Sequence, residues 1–396
     1  MRIYMDAYRS RRIYPEAAHR ACGLIRSVGA PSGLYQEAMS AVDALDEARG
    51  TILKALRADG DVVFTSGGTE ANNLAVVGAA RANPAGRHIV VSSVDQPSVL
   101  APAKDMSKAG FDVDFVGVDR NGAIDLEDLA GVLRRDTTLV SVQSVNHEVG
   151  CIQPLAAAIE AVMEGSDALV HTDASHAVGR LPVDLSRLDV DLLSFSSHKV
   201  SGPIGAGALC VRPDLTISPH VMGDTSYHRF RGGTENVPAA AGMGVAVALM
   251  AERRDAIWRH TDALRRRLLA GLAPIEAARA NSPADVAADP PPLHSVGRAT
   301  GMSDLANVSF GFAEGEAITL YLDMEDVAVS TGSACASWNL QANYVLMAMG
   351  RTHEEAHGSI RFSFDETNTG EEIDTVVRKI AGIVDRLRAM SPVKPR

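Results

Sequence analysis

The chain has 396 residues, of which 46% are hydrophobic and 22% are charged, and its formal net charge at pH 7 is −11. This length allows two domains, and the acidic balance argues against nucleic acid or an anionic membrane as the main partner. No apolar run reaches the roughly 18 residues of a membrane span, and the N-terminus lacks an apolar signal core, so we expect a cytoplasmic protein. The four cysteines show neither zinc spacing nor a disulfide framework, and we predict no metal.

Short apolar runs alternate with longer amphipathic stretches through the first half of the chain. Strands are predicted at 62–64, 88–91, 113–116, 139–142, 168–173, 192–195 and 206–211, the last as a candidate antiparallel return. Helices are predicted at 70–81, 99–109 and 155–164. This alternation predicts an α/β fold with a mostly parallel sheet covered by helices on both faces. Such sheets bind ligands at the carboxyl ends of their strands.

The pattern changes from about residue 239. A long helix at 239–269, which a break could interrupt, leads to a Pro- and Asp-rich loop at 281–304. Strand-like runs at 306–310, 327–330 and 360–364 precede an amphipathic closing helix at 371–390. We therefore predict an N-terminal segment (1–15) near the active site, a large domain (16–250) and a smaller α+β C-terminal domain (251–396).

The sequence Ser-Ser-His-Lys at 196–199 directly follows a strand-like run and precedes a Gly-Pro pair. A primary amine in such a place can form a Schiff base with the aldehyde of pyridoxal phosphate (PLP). Lys199 is the candidate lysine. Asp173, at the end of another strand, is a candidate carboxylate for the pyridine nitrogen of PLP, although a helix cap is the alternative interpretation.

Two further groups would complete such a site. The turn at 64–70 leads from a strand into a helix, so the amides of Gly68 and Thr69 and the Thr69 hydroxyl could hold a phosphate, or form an ordinary N-cap. Ser196 and His198 flank the lysine and could reach the same phosphate. Asn146 ends another strand and could donate to the phenolate oxygen of PLP, or be a turn residue.

Two residues in the C-terminal half carry chemistry of their own. Arg361 stands between apolar residues in a strand, which suits either a substrate α-carboxylate or a structural ion pair. Cys335 lies in the small-residue segment 331–337, where a mobile thiol could attack sulfur held on the cofactor, or be an ordinary buried cysteine. The other three cysteines (Cys22, Cys151 and Cys210) read as small apolar residues.

Together these stretches resemble the PLP-dependent cysteine desulfurases of fold type I, in the class V aminotransferase family, and most closely the group with a long cysteine loop. The resemblance runs from about residue 4 to residue 387. The matching stretches are 65–73, 145–150, 171–174, 194–199, 231–237, 332–335 and 359–363. The resemblance implies a seven-stranded, mostly parallel sheet in the large domain and a smaller α+β domain.

The resemblance also implies roles for individual residues. Lys199 would be the Schiff-base lysine, Asp173 the pyridinium partner, and Cys335 the acceptor of sulfur as a persulfide. Arg361 and Asn146 would anchor the substrate carboxylate. Thr234 would reach the phosphate of the neighbouring subunit, which implies a homodimer with shared sites. The phosphate ligands would be Gly68, Thr69, Ser196 and His198.

Several positions depart from the family pattern. Gln96 replaces a histidine that stacks on the cofactor, and glutamine cannot act as a general acid or base. His176 replaces a glutamine beside the phenolate oxygen, and we hypothesise that it restores a titrating group. The family's Asp-Asn-Ala-Ala-Thr-Thr stretch reads Asp-Ala-Tyr-Arg-Ser-Arg at 6–11. Three arginines lie in this segment or directly after it, Arg9, Arg11 and Arg12. They could contact a larger or more acidic substrate, or they could be solvated surface residues.

The expected reaction is removal of sulfur from L-cysteine, with L-alanine released and a Cys335 persulfide passed to an acceptor protein. Lys199, Cys335, His176 and Gln96 are the expected catalytic residues. One alternative is a diverged PLP-dependent lyase, epimerase or aminotransferase that acts on another amino acid. A second alternative is a scaffold that keeps PLP only for stability.

Overall fold

The structure is a computed structural model that describes residues 2–82, 86–225, 227–332 and 342–390. The helices in these residues are α1 (Pro15–Leu24), α2 (Gln36–Leu56), α3 (Gly68–Ala82), α4 (Pro97–Lys108), α5 (Leu126–Val132), α6 (Leu155–Gly165), α7 (Val237–Leu272), α8 (Gly315–Met324), α9 (Tyr344–Ala348), α10 (His353–His357) and α11 (Gly370–Met390). Two short 3-10 helices cover Ser197–Val200 and Leu293–Ser295.

The strands are short, and most are five or six residues long. In chain order they are β1 (Ile3–Tyr4), β2 (Asp61–Thr65), β3 (His88–Ser92), β4 (Asp112–Val116), β5 (Thr137–Ser141), β6 (Cys151–Ile152), β7 (Leu169–Asp173), β8 (Leu192–Ser196), β9 (Gly207–Val211), β10 (Ala278–Ala280), β11 (Thr300–Gly301), β12 (Leu305–Phe310), β13 (Val327–Ala328), β14 (Ser330–Thr331) and β15 (Ser359–Ser363).

Seven strands form the main sheet in the order β2-β9-β8-β7-β5-β3-β4. The strands from β8 to β4 are parallel, whereas β9 is antiparallel to both of its neighbours, β8 and β2. The predicted α/β fold with a large, mostly parallel sheet is confirmed, and so is the antiparallel return. Because β2 and β8 run in the same direction, β2, β3, β5, β7 and β8 all end at one edge of the sheet.

Apolar side chains cover both faces of this sheet. Val62 and Val170 belong to the hydrophobic core on one face, and Val63 and Leu192 to the core on the other. Successive residues of a strand point to opposite faces, so strands buried on both sides must be apolar at every position. This is why the sequence shows continuous apolar runs instead of an alternating pattern.

Helix α7 belongs to two hydrophobic cores. Its first half packs on α1 and α2 and its second half on α11. Met250 lies in the core of the main sheet, whereas Leu264 and Leu268 lie in the core of the C-terminal part. The helix is continuous, so the suggested break is absent, and residue 250, the predicted domain boundary, lies inside it.

The C-terminal part contains a four-stranded antiparallel sheet in the order β10-β12-β15-β14. The single strand predicted at 327–330 is wrong. That run is two short strands in different sheets, β13 paired with β1 and β14 paired with β15. Across the sheet register, Asn307 and Ser330 lie on either side of Arg361.

The N-terminal segment connects the two parts of the molecule. Asp6 forms a parallel bridge with Ser363 in the C-terminal part. A few residues later, the Arg11 amide donates to the His198 carbonyl oxygen at 3.0 Å. The segment therefore passes directly over the turn that carries Lys199.

The described residues were also compared with the requirements of a membrane-spanning helix and of a metal-ion site. None of their helices has the length and apolar character to cross a membrane. No three of their His, Cys, Asp and Glu side chains are grouped to hold a metal ion. Among the described cysteines, Cys151 and Cys210 are buried and Cys22 is exposed.

Candidate active site

A cleft of about 520 Å³ opens at the carboxyl edge of the main sheet. The ends of β2, β7 and β8 and the beginnings of α3 and α4 form most of its wall, because parallel strands end at the same edge. The predicted site residues that line it are Gly68, Thr69, Gln96, Asp173, Ser196, His198 and Lys199. Predicted residues from four separate stretches of sequence thus meet in one place.

Lys199 lies in the 3-10 turn that follows β8, with its amine inside the cleft. Its Nζ donates to the backbone carbonyl oxygens of Tyr8 and Arg9, the latter at 3.0 Å. Burial, with smaller contributions from the cations Arg361 and Arg180, lowers the pKa of Lys199 to about 7. The amine is therefore neutral in a large fraction of molecules near neutral pH, which a nucleophile or a general base requires.

Asp173 is the last residue of β7 and is almost fully buried. Its Oδ2 accepts a hydrogen bond from Asn72 Nδ2 at 2.8 Å, and its Oδ1 accepts one from the Ser175 amide at 2.9 Å. A carboxylate has about four acceptor positions, so it can still face a protonated ring nitrogen. Asn72 was not predicted as a site residue. The sequence signal that could have identified Asn72 was its position on α3, one helical turn after the glycine turn between β2 and α3.

Close packing around the turn between β2 and α3 favours glycine at two positions, Gly68 in the turn and Gly207 on the facing strand β9. A Cβ on Gly68 would lie 3.2 Å from the Ser196 Cβ, and a Cβ on Gly207 would lie 2.4 Å from the Gly67 carbonyl carbon. The first amides of α3 have no partner within the helix and border the cleft, which makes this end suitable for an anion.

Ser196 and His198 lie beside that helix end. The Ser196 Oγ is 3.0 Å from the His198 Nδ1. Burial, assisted by the nearby Lys199, lowers the pKa of His198 to about 4, so its ring is neutral at physiological pH. A neutral His198 ring has one N–H to donate, and it adds no positive charge beside Lys199.

Arg361 lies in the middle of β15 and is buried. Its Nη2 donates to Asp6 Oδ1 at 3.0 Å, and its Nη1 donates to Glu148 Oε2 at 3.2 Å. Its Nε has no partner among the described residues. Structural ion pairs therefore occupy two of its nitrogens, while a third donor remains for an incoming carboxylate. Neither Asp6 nor Glu148 was predicted as a site residue, because each is far from Arg361 in sequence.

The donor set of the cleft fits PLP. A lysine that is neutral near pH 7, a buried carboxylate and a helix N-terminus with two hydroxyl residues lie around the same space. These are the groups that would hold an aldehyde, a pyridine nitrogen and a phosphate. The Cβ contact at Gly68 gives an independent sign, since the close approach of α3 to Ser196 leaves backbone amides as the cleft surface.

Comparison with known proteins supports this interpretation of the cleft. Residues 23–376 match the aminotransferase class-V family. The chain belongs to this family. Cysteine desulfurase IscS 1 of Archaeoglobus fulgidus is 40% identical over 370 residues, which is 93% of either chain. Cysteine desulfurase IscS of Dictyoglomus turgidum is 39% identical over 368 residues, which is 92% of this chain and 90% of that protein.

Solved structures of class-V relatives agree with the sequence matches. A NifS-like protein superposes with a TM-score of 0.88 at 30% identity, covering 98% of this chain and 100% of that one. SspA in complex with cysteine superposes with a TM-score of 0.77 at 27% identity, covering 93% and 100%. The resemblance to the cysteine desulfurases of the class V aminotransferase family is confirmed.

Three predicted site residues of this class-V chain do not line the cleft. Asn146 is buried, and its Oδ1 accepts from the amides of Glu148 and Val149, both at 2.9 Å, as the turn interpretation implied. Thr234 is exposed on the loop before α7. Arg361 is buried, and its positive charge contributes to the lowered pKa of Lys199 in the cleft. Cys335 belongs to residues 333–341, which are outside the described residues.

His176, another predicted site residue, is also not among the residues that line the cleft. The residue is buried, and its ring stacks on Tyr8 with centroids 4.2 Å apart and an interplanar angle of 8°. Burial and the nearby cations Lys199 and Arg180 lower the pKa of His176 well below its usual value. Because this shift disfavours the imidazolium, the structure gives no support to the hypothesis of a group that titrates near neutral pH, and the role of His176 stays a prediction.

The N-terminal arginines have three different environments. Arg11 is buried and forms ion pairs with Glu366 and Asp304, so neither the substrate-facing nor the surface interpretation holds for it. Arg12 is exposed and lies 3.7 Å from Asp365. Only Arg9 borders the cleft, where its side chain is 70% exposed. The idea of a basic substrate-facing segment is thereby reduced to one residue.

Proposed function

We propose that this class-V chain is a PLP-dependent cysteine desulfurase that removes the sulfur of L-cysteine and releases L-alanine. The observation that carries the proposal is the meeting of Lys199, Asp173 and the N-terminus of α3 in one cleft. Relatives named cysteine desulfurases, which align with at least 92% of this chain, favour the same reaction.

Bound PLP supplies an electron sink for the bonds at the substrate α-carbon. In the proposal, Lys199 holds its aldehyde carbon and the Asp173 carboxylate faces its ring nitrogen. The amides of Gly68 and Thr69 hold its phosphate together with the side chains of Ser196 and His198.

Lys199 has the role of general base and acid. In the cofactor-free protein its pKa is about 7, so its amine could accept a proton from the substrate α-carbon and return it. The carbonyl oxygens of Tyr8 and Arg9 accept from Nζ and orient it. Gln96, at the other side of the cleft, cannot exchange a proton, so proton transfer falls to Lys199.

Substrate binding and sulfur transfer are assigned to two other residues, Arg361 and Cys335. The free Nε of Arg361 donates to the substrate carboxylate. The Cys335 thiolate attacks the substrate sulfur, so that an S–S bond forms and the Cβ–S bond breaks. The electron pair of the broken bond goes to the carbon fragment, which takes up a proton and leaves as alanine. The outer sulfur of Cys335 then passes to an acceptor protein.

The direct test is incubation of the PLP-loaded protein with L-cysteine and a thiol reductant. We expect sulfide and alanine in equal amounts, no sulfide from Cys335→Ser, and unchanged turnover in the exposed-cysteine control Cys22→Ser. Absence of both products, with a cofactor spectrum that changes on adding another amino acid, would support a lyase, epimerase or aminotransferase instead. A spectrum that no amino acid changes would support a non-catalytic scaffold.

The proposal includes a homodimer in which Thr234 completes the neighbouring site. Thr234 is exposed and is not among the residues that line the cleft of its own chain. Inactive Lys199→Ala protein mixed and re-associated with Thr234→Ala protein tests this directly. Shared sites give hybrid dimers with one fully native site, so activity exceeds that of either variant. Activity equal to the weighted sum of the two variants would mean that the sites are not shared.

A further inference from the structure

A chain of buried hydrogen bonds starts at the cleft carboxylate Asp173 and crosses the main sheet from β8 to the end of β3. Its members come from α3, from the adjacent strands β8, β7 and β5, and from the turn after β3, and all of them are buried. From the cleft inward, the chain consists of Asp173, Asn72, Ser194, His171, Ser141 and Asp95. Only the first two of these residues line the cleft.

The first link fixes the orientation of the Asn72 amide. Its Nδ2 donates to Asp173 Oδ2 and to Ser98 Oγ, both at 2.8 Å. An ionised carboxylate can only accept, so the NH₂ group must face Asp173 and Oδ1 must face the other way, toward Ser194. The Ser194 hydroxyl contacts this Oδ1. Because an amide oxygen cannot donate, the single hydrogen of the Ser194 hydroxyl is used here.

The same reasoning fixes the tautomer of His171. Its Nε2 lies 3.0 Å from the Ser194 Oγ, which has no hydrogen left to give, so Nε2 must carry a proton and donate. Burial lowers the pKa of His171 to about 3, so the ring is neutral and its Nδ1 has no proton. The Nδ1 therefore accepts from the Ser141 hydroxyl at 2.8 Å.

Asp95 is the last member of the chain, and the geometry requires it to carry a proton. Its Oδ2 lies 3.3 Å from the Ser141 Oγ, whose only hydrogen points to His171. The hydrogen between these two oxygens must then come from Asp95. Its other oxygen, Oδ1, accepts from the Gln143 amide at 2.8 Å, as the carbonyl oxygen of a carboxylic acid does.

The surroundings of Asp95 favour the neutral acid. The side chain is completely buried, and burial together with the nearby charge of Asp173 raises the pKa of Asp95 well above its usual value. The other titratable group close to it, the Tyr344 hydroxyl, donates to the Asp95 backbone carbonyl oxygen at 2.6 Å and leaves the carboxyl group alone. An ionised Asp95 would place a second negative charge in the same buried region as Asp173.

We infer that Asp95 is a neutral carboxylic acid at the head of a one-way chain of hydrogen bonds, and that this chain positions Asp173 toward the cofactor. The positioning role rests on the proposed binding of PLP, whereas the protonation of Asp95 does not. Each donor in the chain is polarised by the donor behind it. Asp173 therefore has a fixed orientation before the cofactor binds, and it keeps its negative charge for the ring nitrogen.

Infrared difference spectroscopy of the PLP-free protein at neutral pH tests the protonation of Asp95. A carboxylic acid has a C=O stretching band that an ionised carboxylate lacks. We expect this band in the native protein and its loss in Asp95→Asn. The matched control is Asp105→Asn, in which an exposed aspartate is changed and no such band should be lost. A native spectrum without the band that Asp95→Asn removes would overturn the inference.

Titration with PLP, without any amino-acid substrate, tests the positioning role. In Asp95→Asn the Gln143 amide holds the new side-chain oxygen, so the NH₂ group faces Ser141 and the chain keeps its direction. This conservative variant should retain native PLP affinity. Asp95→Ala removes the first donor and should weaken binding about threefold, and Ser194→Ala cuts the chain and should weaken it about tenfold.

Two further measurements separate positioning from simple structural support. Asp95→Ala added to Ser194→Ala should weaken PLP binding no further, because the chain is already cut. The pH at which the absorbance of the lysine-bound cofactor changes should shift in Ser194→Ala and should stay native in Asp95→Asn. Urea unfolding of each variant without PLP separates losses of folding stability from losses of cofactor binding.

Each outcome decides between the possibilities. A loss of PLP affinity in Asp95→Asn as large as that in Asp95→Ala would mean that Asp95 is an ionised acceptor, and the inference would be overturned. Native affinity and a native spectrum in Ser194→Ala would overturn the positioning role. Failure of the native protein to bind PLP would overturn the proposed function, and the infrared result would still decide whether Asp95 is protonated.

Discussion

Two walls of the cleft are built by different means. The strand-end wall consists of the ends of β2, β7 and β8 with the first turn of α3. Several of its polar groups bond close neighbours in sequence, as Ser196 does with His198, although Asp173 also accepts from the distant Asn72. The N-terminal wall consists of Arg9, which borders the cleft, and of the buried layer behind it, in which Asp6, Arg11, Glu148, Asp304 and Arg361 are joined by ion pairs. The partners Asp6 and Arg361 are 355 positions apart.

The two walls therefore differ in role, since one holds the groups proposed for cofactor chemistry and the other holds groups that would select the substrate. The strand-end wall holds the groups proposed to bind PLP and, apart from Gln96 and His176 beside it, matches the family pattern. The N-terminal wall carries the departures from that pattern, including Tyr8 and Arg9. Because buried charges must remain paired, a change in one residue of this wall requires a change in its partner. The wall can therefore diverge only as a unit, while the cofactor chemistry stays the same.

The largest expected effect lies in the strand-end wall. Lys199→Arg keeps the positive charge but removes a base with a pKa near 7, because guanidinium does not deprotonate in proteins. We expect turnover of L-cysteine to fall by about 10³-fold or more. The matched control is Lys108→Arg, an exposed lysine on α4 that lies 3.1 Å from Asp105. Substantial turnover in Lys199→Arg would contradict the proposed role of the lysine.

The N-terminal wall should respond in stability. Arg361→Ala removes the buried counter-charge of two carboxylates, Glu148 and Asp6, of which Asp6 keeps only the exposed Arg9 at 3.4 Å. We expect the free energy of unfolding to fall by about 3–5 kcal/mol in urea denaturation of the PLP-free protein. Arg259→Ala, which removes an exposed pair with Asp289, should cost about 1 kcal/mol or less. Equal losses in the two variants would remove the distinction between the walls.

Partial rescue sharpens this comparison. Glu148→Gln introduced into Arg361→Ala neutralises one of the two stranded carboxylates, so it should recover part of the lost stability. In an otherwise native protein, the same Glu148→Gln change should be destabilising, because it removes one ion pair. A change that has the same sign in both backgrounds would mean that the charges at Arg361 are not coupled.

The pH dependence of stability reports on Lys199. Its pKa is about 7 in the folded PLP-free protein and close to the ordinary 10.5 in the unfolded chain. Between these values the unfolded state binds more protons, so stability rises with pH, and below pH 7 the native state carries the full cost of burying the charge. Lys199→Met lacks this term, and its stability advantage should shrink as pH rises from about 7 to about 10.

Urea unfolding of PLP-free Lys199→Met and native protein across that pH range measures the difference directly. We expect it to amount to a few kcal/mol at the acid end and to decrease steadily towards the alkaline end. A difference that does not change with pH would show that the native lysine has an ordinary pKa, and the argument for a neutral amine in the cleft would be lost.

The smallest expected effect concerns the ion pair that connects the turn between β2 and α3 to the loop that carries Thr234. Arg231 Nε donates to Glu70 Oε1 at 2.7 Å, and Glu70 Oε2 accepts from the Ser66 amide at 2.8 Å. Arg231→Gln should cost about 1–2 kcal/mol of stability and weaken PLP binding a few-fold. Fluorescence titration with PLP measures the affinity, and an affinity equal to that of the native protein would mean that the turn does not depend on this pair.

Much of the fold could be predicted because its signals are local. All seven strands of the main sheet, including the antiparallel β9, were predicted within one or two residues of their observed ends. Helices α1 and α2 were not predicted. The buried face of α2 is mainly alanine, including Ala38, Ala41 and Ala44, so it shows weak hydrophobic periodicity. The run at 327–330 was misread because two strands of different sheets follow each other without a turn signal.

The candidate site divides in the same way. The strand-end residues could be predicted because each lies in a contiguous strand–turn motif, such as the glycine turn before α3. Asn146 fitted its turn interpretation instead, and the N-terminal arginines could not be separated by sequence. Nothing local distinguishes Arg11, which is buried in ion pairs, from Arg12, which is exposed.

The order of the amino acids alone determined the sheet, the lysine after β8 and the carboxylate after β7, because hydrophobic periodicity and turn chemistry act over a few residues. The tertiary structure alone decided which charges are paired, which histidine is neutral and that Tyr8 lies flat on His176. Those features depend on burial and on contacts between residues more than a hundred positions apart, for which a linear sequence has no local signature.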